Sequence, residues 1–237
     1  MYRSALTAGA EARFWALVRD RLRAGGIAAP DALGESEDVW SLWRDPALVL
    51  GQTCGMPYRT QLHGVVTLVG TPDYGLEGCP PGYYRSVVVA REAGALAALA
   101  DQRFAYNEAG SQSGWAALAN EAPEVVGGAR IATGSHRASV AAVQDGRADF
   151  AAVDAVTWRL IEAEGKAEGL VAIHRTEPTP GLPYIAARSV DGAVVFDAVS
   201  AAIAALDGED RAALGLRGLV AIPAEAYLAV PVPATPA

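Results

Sequence analysis

The chain has 237 residues, 51% of them hydrophobic and 19% charged, with 19 Lys and Arg against 27 Asp and Glu and a formal net charge of -8. A chain of this length buries roughly 70% of its unfolded surface, which excludes general disorder and leaves one large domain or two small ones. The acid excess excludes a general phosphate-backbone binder, which needs a basic face to displace counterions; no nucleic-acid partner is expected, and any bound anion must be met by local groups.

From Glu11 to Arg23, Phe14, Trp15, Val18 and Leu22 recur at helical spacing, and Gly25-Gly26 ends the run. A short Trp-bearing helix is expected over Glu35 to Trp43, with Ser36 as its cap. Apolar runs at Ala47 to Leu50, Val65 to Thr71 and Ser86 to Ala90 read as buried strands. The middle of the chain alternates: a strand Arg103 to Asn107, a helix through Trp115 and Leu118, and a strand Arg130 to Thr133. A helix Ser135 to Gln144 and a strand Ala148 to Val153 follow. This rhythm argues for mainly parallel sheets flanked by helices. A strand Leu170 to Ile173 runs into the proline-dense stretch Pro178 to Pro183, the best boundary in the chain. A strand Tyr184 to Ala187, an Ala-rich helix Ala193 to Leu206, a closing segment Leu219 to Ile222 and a frayed tail with Pro231, Pro233 and Pro236 complete it. The Ala-rich helix is too short, and too interrupted by Asp197, for the roughly 20 apolar residues of a membrane span. No basic start followed by about 7–15 apolar residues is visible, so no export signal is read.

Chemistry concentrates at strand-to-helix junctions. In Asn107-Glu108-Ala109-Gly110-Ser111-Gln112-Ser113-Gly114, backbone N–H groups and two hydroxyls meet at the positive end of a helix dipole. Such donors hold a phosphate-like anion without a full opposite charge; the competing reading is an ordinary Ser cap. The hydrolase elbow G-x-S-x-G fails here, because Gln112 stands at its centre. Gln52-Thr53-Cys54-Gly55 follows an apolar run and belongs at the carboxyl end of a sheet, where α/β proteins bind ligands. Tyr84 offers a hydroxyl, Thr133-Gly134-Ser135-His136 makes a second cap with a His, and Asp154 ends a strand, placed either to meet a ligand donor or to cap the segment after it. Asp149 reads as structural. Cys54 and Cys79 lack paired metal-ligand spacing and are left either bridged or as thiols. No metal or cofactor motif occurs.

Taken in order, QTCG (Gln52 to Gly55), PGYYRS (Pro81 to Ser86), SQSG (Ser111 to Gly114), GSHRASVAAVQDGRADFAAVDA (Gly134 to Ala155) and TPGLPY (Thr179 to Tyr184) resemble the phosphate, phosphite and phosphonate substrate-binding proteins of ABC importers. The resemblance implies a two-lobed type 2 periplasmic-binding-protein-like fold with a two-strand hinge, a first lobe over 1–87, a second over 88–175, and a return to the first over 176–237. It implies a non-catalytic monomer that closes on a small oxyanion, needs no cofactor and delivers to an ABC permease. Ser111, Gln112, Ser113 and Gly114 match the phosphonate cradle, with an amide replacing its middle hydroxyl. Gln52, Thr53, Tyr84, Asn107, Ser135, His136 and Asp154 complete the expected site. Val156 and Leu182 stand where carboxylates for an amino-phosphonate would be expected, which disfavours an amine-bearing ligand. The resemblance implies the periplasm, whereas the start as given reads as cytoplasmic. Rival readings are an enzyme on the same fold using Cys54 or Asp154, and a cytoplasmic ligand sensor.

Overall fold

The computed structural model describes residues 2–34, 36 and 38–236. In chain order its elements are α1 (Ala8–Ala24), α2 (Val39–Trp43), β1 (Gly51–Gln52), α3 (Gly55–Pro57) with a following π-turn (Tyr58–Leu62), β2 (Val66–Asp73), β3 (Tyr83–Tyr84) and β4 (Ser86–Ala90). Next come β5 (Phe104–Tyr106), a π-turn (Gln112–Ala116) running into α4 (Ala117–Glu121), β6 (Arg130–Ala132), α5 (His136–Gln144), β7 (Phe150–Asp154), α6 (Ala155–Ala163) and β8 (Val171–Arg175). The chain ends with β9 (Thr179–Pro180), β10 (Tyr184–Ala187), α7 (Gly192–Ala205), α8 (Gly208–Leu214), β11 (Gly218–Val220) and α9 (Ala224–Leu228). It divides into unit 1, residues 1–83 and 180–227, and unit 2, residues 84–179 and 228–237. The first border lies four residues before the one expected at 87/88 and the second four after the one expected at 175/176. The last ten residues group with unit 2.

Unit 1 is built on the sheet β1-β10-β2-β11, in which every neighbouring pair is antiparallel. The expectation of mainly parallel sheets is corrected here, and the reason is interleaving. β1 and β2, joined through α3, run the same way, as do β10 and β11, joined through α7 and α8; the two runs alternate with opposite directions. The alternation rule describes each strand-helix-strand step and does not reveal what is inserted between its strands. Ala47 to Leu50 is turn rather than strand: Leu48 and Val49 are buried in separate clusters, and pairing begins at Gly51 with Ile185.

The helices of unit 1 follow their apolar periods. Phe14, Trp15, Val18 and Leu22 of α1 are buried and share a core with Val195, Val199, Ala202 and Ile203 of α7. Each such aliphatic side chain stabilises the fold by about 1.5–3 kcal/mol. Gly26, at φ 82°, takes the left-handed conformation that lets the chain leave α1. In β2 a Cβ on Gly70 would come 2.9 Å from the Phe196 ring, so glycine is what lets α7 lie this close to the sheet. The cap of α2 is Asp38, whose carboxylate accepts from Trp40 and Ser41 N–H, rather than Ser36. The expected helix start at Glu35 lies outside the described residues.

Unit 2 carries the sheet β6-β5-β7-β4-β8. β5 is parallel to both β6 and β7, while β4 is antiparallel to β7 and β8. β6, β5, β7 and β8 therefore share one direction and only β4 opposes it. Val88, Val89, Ala151, Ala152 and Val153 are fully buried, as expected of strands covered on both faces. Phe104 stacks between Phe150, at 4.9 Å between ring centroids, and Tyr106 and Trp115. The C-terminal residues are not a frayed tail: Trp115 Nε1 donates to the Ala234 carbonyl at 3.0 Å and Asn120 to that of Pro231 at 2.9 Å.

Candidate functional site

Three parallel strands of unit 2, β5, β6 and β7, end at the same sheet edge, and each is followed by a helix start. Two of these starts are fastened side by side, since Thr133 N–H donates to the Tyr106 carbonyl at 2.9 Å and Gly134 N–H to that of Asn107 at 2.8 Å. This brings the Ser111 and Ser135 junctions together at the carboxyl edge, where an open α/β sheet binds ligands.

At the first junction Ser111 is extended and its Oγ accepts from Gly114 N–H at 2.9 Å, while Ala116 N–H reaches back five residues to the Ser111 carbonyl. The amides of Gln112 and Ser113 head a wide helical turn, the end of a helix at which backbone donors gather. Ser111, Gln112 and Ser113 are all buried, at 3%, 1% and 3% exposure. Polar side chains are rarely buried so completely without purpose. Ser113 is fixed at both ends: its carbonyl accepts from Ser86 Oγ at 2.8 Å, and its Oγ lies 3.0 Å from His136 Nε2. Gly114 leaves room for its neighbours, because a Cβ there would fall 1.7 Å from Asn107 Oδ1 and 3.2 Å from the His136 ring and would displace the Asn107 carboxamide. Asn107 Oδ1 is itself enclosed and takes no hydrogen bond among the described residues.

Electrostatics at this edge come from dipoles. His136 is partly exposed as a residue, but its Nδ1 is enclosed. Burial pulls its pKa down to about 4, the Ala152 carbonyl opposing the shift. The imidazole is therefore neutral at pH 7. Ser135 Oγ caps α5 through Ala138 N–H at 3.1 Å, and Thr133 Oγ1 and Ser139 Oγ, 2.7 Å apart, brace the same turn. Asp154 is buried and its Oδ1 accepts from Val156 and Thr157 N–H at 2.8 and 2.9 Å, the capping alternative of its sequence reading. Asp149 lies on the other side of β7's start, where the Arg103 guanidinium and N–H hold its carboxyl down to about 2.

Gln52 and Thr53 belong to unit 1 and are tied within it. The Gln52 carboxamide donates to Tyr74 Oη at 3.3 Å and to the Leu182 carbonyl at 3.2 Å, and Thr53 N–H donates to the Pro183 carbonyl. Tyr84 is buried in unit 2 at its border. Both cysteines are thiols, Cys54 buried and Cys79 half-buried, so the bridge between them is not formed in this structure. Among the described residues no group of three His, Cys, Asp or Glu side chains is arranged to hold a metal ion, and no helix is long and apolar enough to cross a membrane. Two contributors escape a sequence reading. Ser86 reads as the first residue of an apolar strand, and its only signal is a hydroxyl at a fully buried position. Tyr227, whose hydroxyl joins Thr71 Oγ1 at 2.5 Å and donates to the Gly181 carbonyl, lies in a short C-terminal helix with no motif.

Comparison with known proteins agrees with this architecture. No curated protein sequence matches the chain. Among solved structures, the chain resembles PhnD1 of Prochlorococcus marinus in complex with methylphosphonate, with 15% identity and a TM-score of 0.67 over 91% of this chain and 88% of that one. It also resembles a binding protein component of an ABC phosphonate transporter from Pseudomonas aeruginosa, with 14% identity and a TM-score of 0.62 over 92% and 78%. A histidine kinase sensor domain similar to periplasmic binding proteins shares the fold at 16% identity and a TM-score of 0.58, over 87% of each chain. At these identities the likeness is one of fold, the two-lobed type 2 periplasmic binding protein fold. The family model for the periplasmic phosphonate substrate-binding protein of ABC transporters matches residues 50–227, three quarters of the sequence. The chain belongs to that family of phosphonate-binding transport proteins.

Proposed function

We propose that the chain binds a small phosphonate-type oxyanion, such as methylphosphonate, phosphite or phosphate, at the carboxyl edge of the unit 2 sheet, and presents it to an ABC permease without transforming it. The observation that carries this reading is the buried run Ser111-Gln112-Ser113 at a helix start, closed by Asn107, Gly114 and His136. Backbone amides at such a start favour a negative group by position and dipole alone, which suits a neutral His136 and an acidic chain. Gln52 and Thr53 keep their bonds within unit 1, so we assign the determinants of affinity to Ser111, Gln112, Ser113, Gly114, Asn107, Ser135 and His136, with Tyr84 and Asp154 behind them.

The pairing of Ser113 with His136 has the outline of a nucleophile and its base, and the pKa argues against turnover. A general base works best with a pKa near the working pH, and His136, at about 4, is a weak proton acceptor at pH 7. Burial and the Ala152 backbone set its state, and no carboxylate is among the causes. Asp154 Oδ1 is engaged as the cap of α6. The test is titration calorimetry with methylphosphonate on the full chain and on Ser111→Ala/Ser113→Ala. The parent should bind, and the double variant should lose about 100-fold or more in affinity. Equal binding by both would overturn the site. The sensor reading shares the anion and differs in its partner, and ligand-dependent stimulation of a reconstituted permease ATPase separates the two.

A further inference from the structure

The chain passes between its two units three times, at 83/84, 179/180 and 227/228. Beside each passage, residues of unit 2 are tied to one stretch, the π-turn Gln112–Ala116 and the helix α4 that follow the Ser111 junction. After the first passage, Ser86 Oγ donates to the Ser113 carbonyl at 2.8 Å. Before the second, Glu121 Oε1 lies 2.5 Å from His174 Nε2, and Glu121 Oε2 accepts from Glu177 N–H at 2.7 Å. After the third, Trp115 Nε1 and Asn120 Nδ2 donate to the Ala234 and Pro231 carbonyls at 3.0 and 2.9 Å. The first two passages are also tied to each other, since Ser86 N–H donates to Thr176 Oγ1 and Thr176 N–H to the Ser86 carbonyl, both at 3.0 Å. The second junction behaves differently. Arg137 and Gln144 of α5, which starts at Ser135, bind Glu164 and the carbonyls of Lys166 and Glu168, away from any passage in the sequence.

One peptide group joins the anion site to these ties. Between Ser113 and Gly114, the carbonyl accepts from Ser86 Oγ and the N–H donates to Ser111 Oγ at 2.9 Å. A peptide group is planar, so it cannot turn towards one partner without moving against the other. We infer that the stretch Gln112–Glu121 couples the anion site to all three passages of the chain, which makes Ser86, Glu121 and Asn120 positioning residues for anion affinity. This rests on the reading that the anion is held at the Ser111 junction. An anion on the first amides fixes the start of the stretch, and its ties carry that order to the segments that leave unit 2. Glu121 acts from roughly 13 Å along the helix from Gln112, at a rise of about 1.5 Å per residue, so it does so without touching the anion. Coupling of this kind is reciprocal: what binding adds to the order of the passages, loosening the passages takes from binding by the same factor.

Hydrogen exchange on the full chain, with and without saturating methylphosphonate, tests the coupling. The amides of Ser86, Thr176 and Glu177 should slow about tenfold more than those of Asp145 and Ala148 at the far end of α5. Equal slowing at both places, or none, overturns the inference and leaves the site standing. Calorimetry on surface variants is the second arm, because Ser86 is 1% exposed and its replacement bears on folding. Glu121→Ala should lower methylphosphonate affinity about three- to tenfold and Asn120→Ala about threefold, with the extra slowing at Ser86 shrinking in Glu121→Ala. Unchanged affinity in either variant overturns the coupling to that passage. Gln144→Ala, which cuts the ties of α5, should keep affinity within about twofold; a loss matching that of Glu121→Ala would mean general loosening and overturn the inference. Failure of the parent chain to bind methylphosphonate, phosphite or phosphate would instead remove the proposed function, and this inference with it.

Discussion

At the end of β1 in unit 1 and of β5 in unit 2, a short polar run turns into a helix containing a π-turn, and the side chains of the two runs are spent differently. In unit 1, the Gln52 carboxamide is bound to Tyr74 and Leu182 and Thr53 N–H to Pro183, while Thr71 and Tyr227 close a buried network on Gly181. Polar groups there hold polar groups. In unit 2, the buried polar run is held from behind, by Ser86 on the Ser113 carbonyl and by Gly114 on Ser111, and the enclosed Asn107 Oδ1 beside it takes no hydrogen bond among the described residues. Saturation makes a junction structural, and a rigid junction with acceptors and donors left over can bind. The comparison separates stability from affinity and can be broken by variants that move the wrong one.

The largest effect is expected from Gly114→Ala. The added Cβ would displace the Asn107 carboxamide, whose Oδ1 lies 1.7 Å from its position. Methylphosphonate affinity should fall by about 100-fold or more. The melting temperature should drop by only about 2–4 °C, because a side-chain end can move where backbone cannot. Retained affinity would show that the Asn107 side of the junction is as structural as unit 1. Acid stability comes next. His136 has a pKa of about 4 in the folded chain against 6.5 ordinarily. Between these values the unfolded chain holds the extra proton, so the contribution is complete above about pH 6.5 and is lost as pH falls towards 4, at most about 3 kcal/mol. Asp149 and Glu164, held down to about 2 by their arginines, begin to lose their contributions only below their ordinary values of 3.8 and 4.5. Denaturant titrations at pH 7 and about pH 4.5 should therefore show a loss that His136→Gln largely abolishes. An equal loss in the variant would place the acid-sensitive group elsewhere.

Unit 1 should answer in the opposite sense. Tyr227→Phe strands the Thr71 hydroxyl and the Gly181 carbonyl, and should cost about 1–3 kcal/mol while leaving methylphosphonate affinity within about twofold. A binding defect as large as that of Gly114→Ala would erase the distinction between the units.

Legibility in the sequence divides along the same line. β4 could be read to the residue, because Ser86 to Ala90 is apolar and buried throughout. α1 followed from apolar residues at helical spacing and α7 from its Ala-rich composition. β1 could not, since two residues carry no period, and the neighbouring apolar run Ala47 to Leu50 buries Leu48 and Val49 without being strand. Strand direction in unit 1 depends on segments more than a hundred residues apart, Gly51 with Ile185 and Leu68 with Ile185, and no local pattern encodes that pairing. Of the site, the Ser111 and Ser135 junctions were visible as caps after strands. The Ser86 support and the Ser113–His136 contact were not, because they depend on which neighbour a hydroxyl meets across the sheet.

The smallest effects test the comparison most finely, through two helix caps of similar worth. Ser135 caps α5 in unit 2 by accepting from Ala138 N–H, and Asp191 caps α7 in unit 1 by accepting from Ala193 and Val194 N–H. Replacing either by Ala should cost about 1 kcal/mol, the usual worth of a cap, so the two variants should melt within a few degrees of each other. Only Ser135→Ala disturbs the turn that carries His136, and its methylphosphonate affinity should fall about three- to tenfold while that of Asp191→Ala stays at the parent value. Matched stability with unmatched affinity is what the division of labour requires. If both variants lost affinity equally, binding would be following global stability, and the case for a dedicated edge on unit 2 would fail on its own terms.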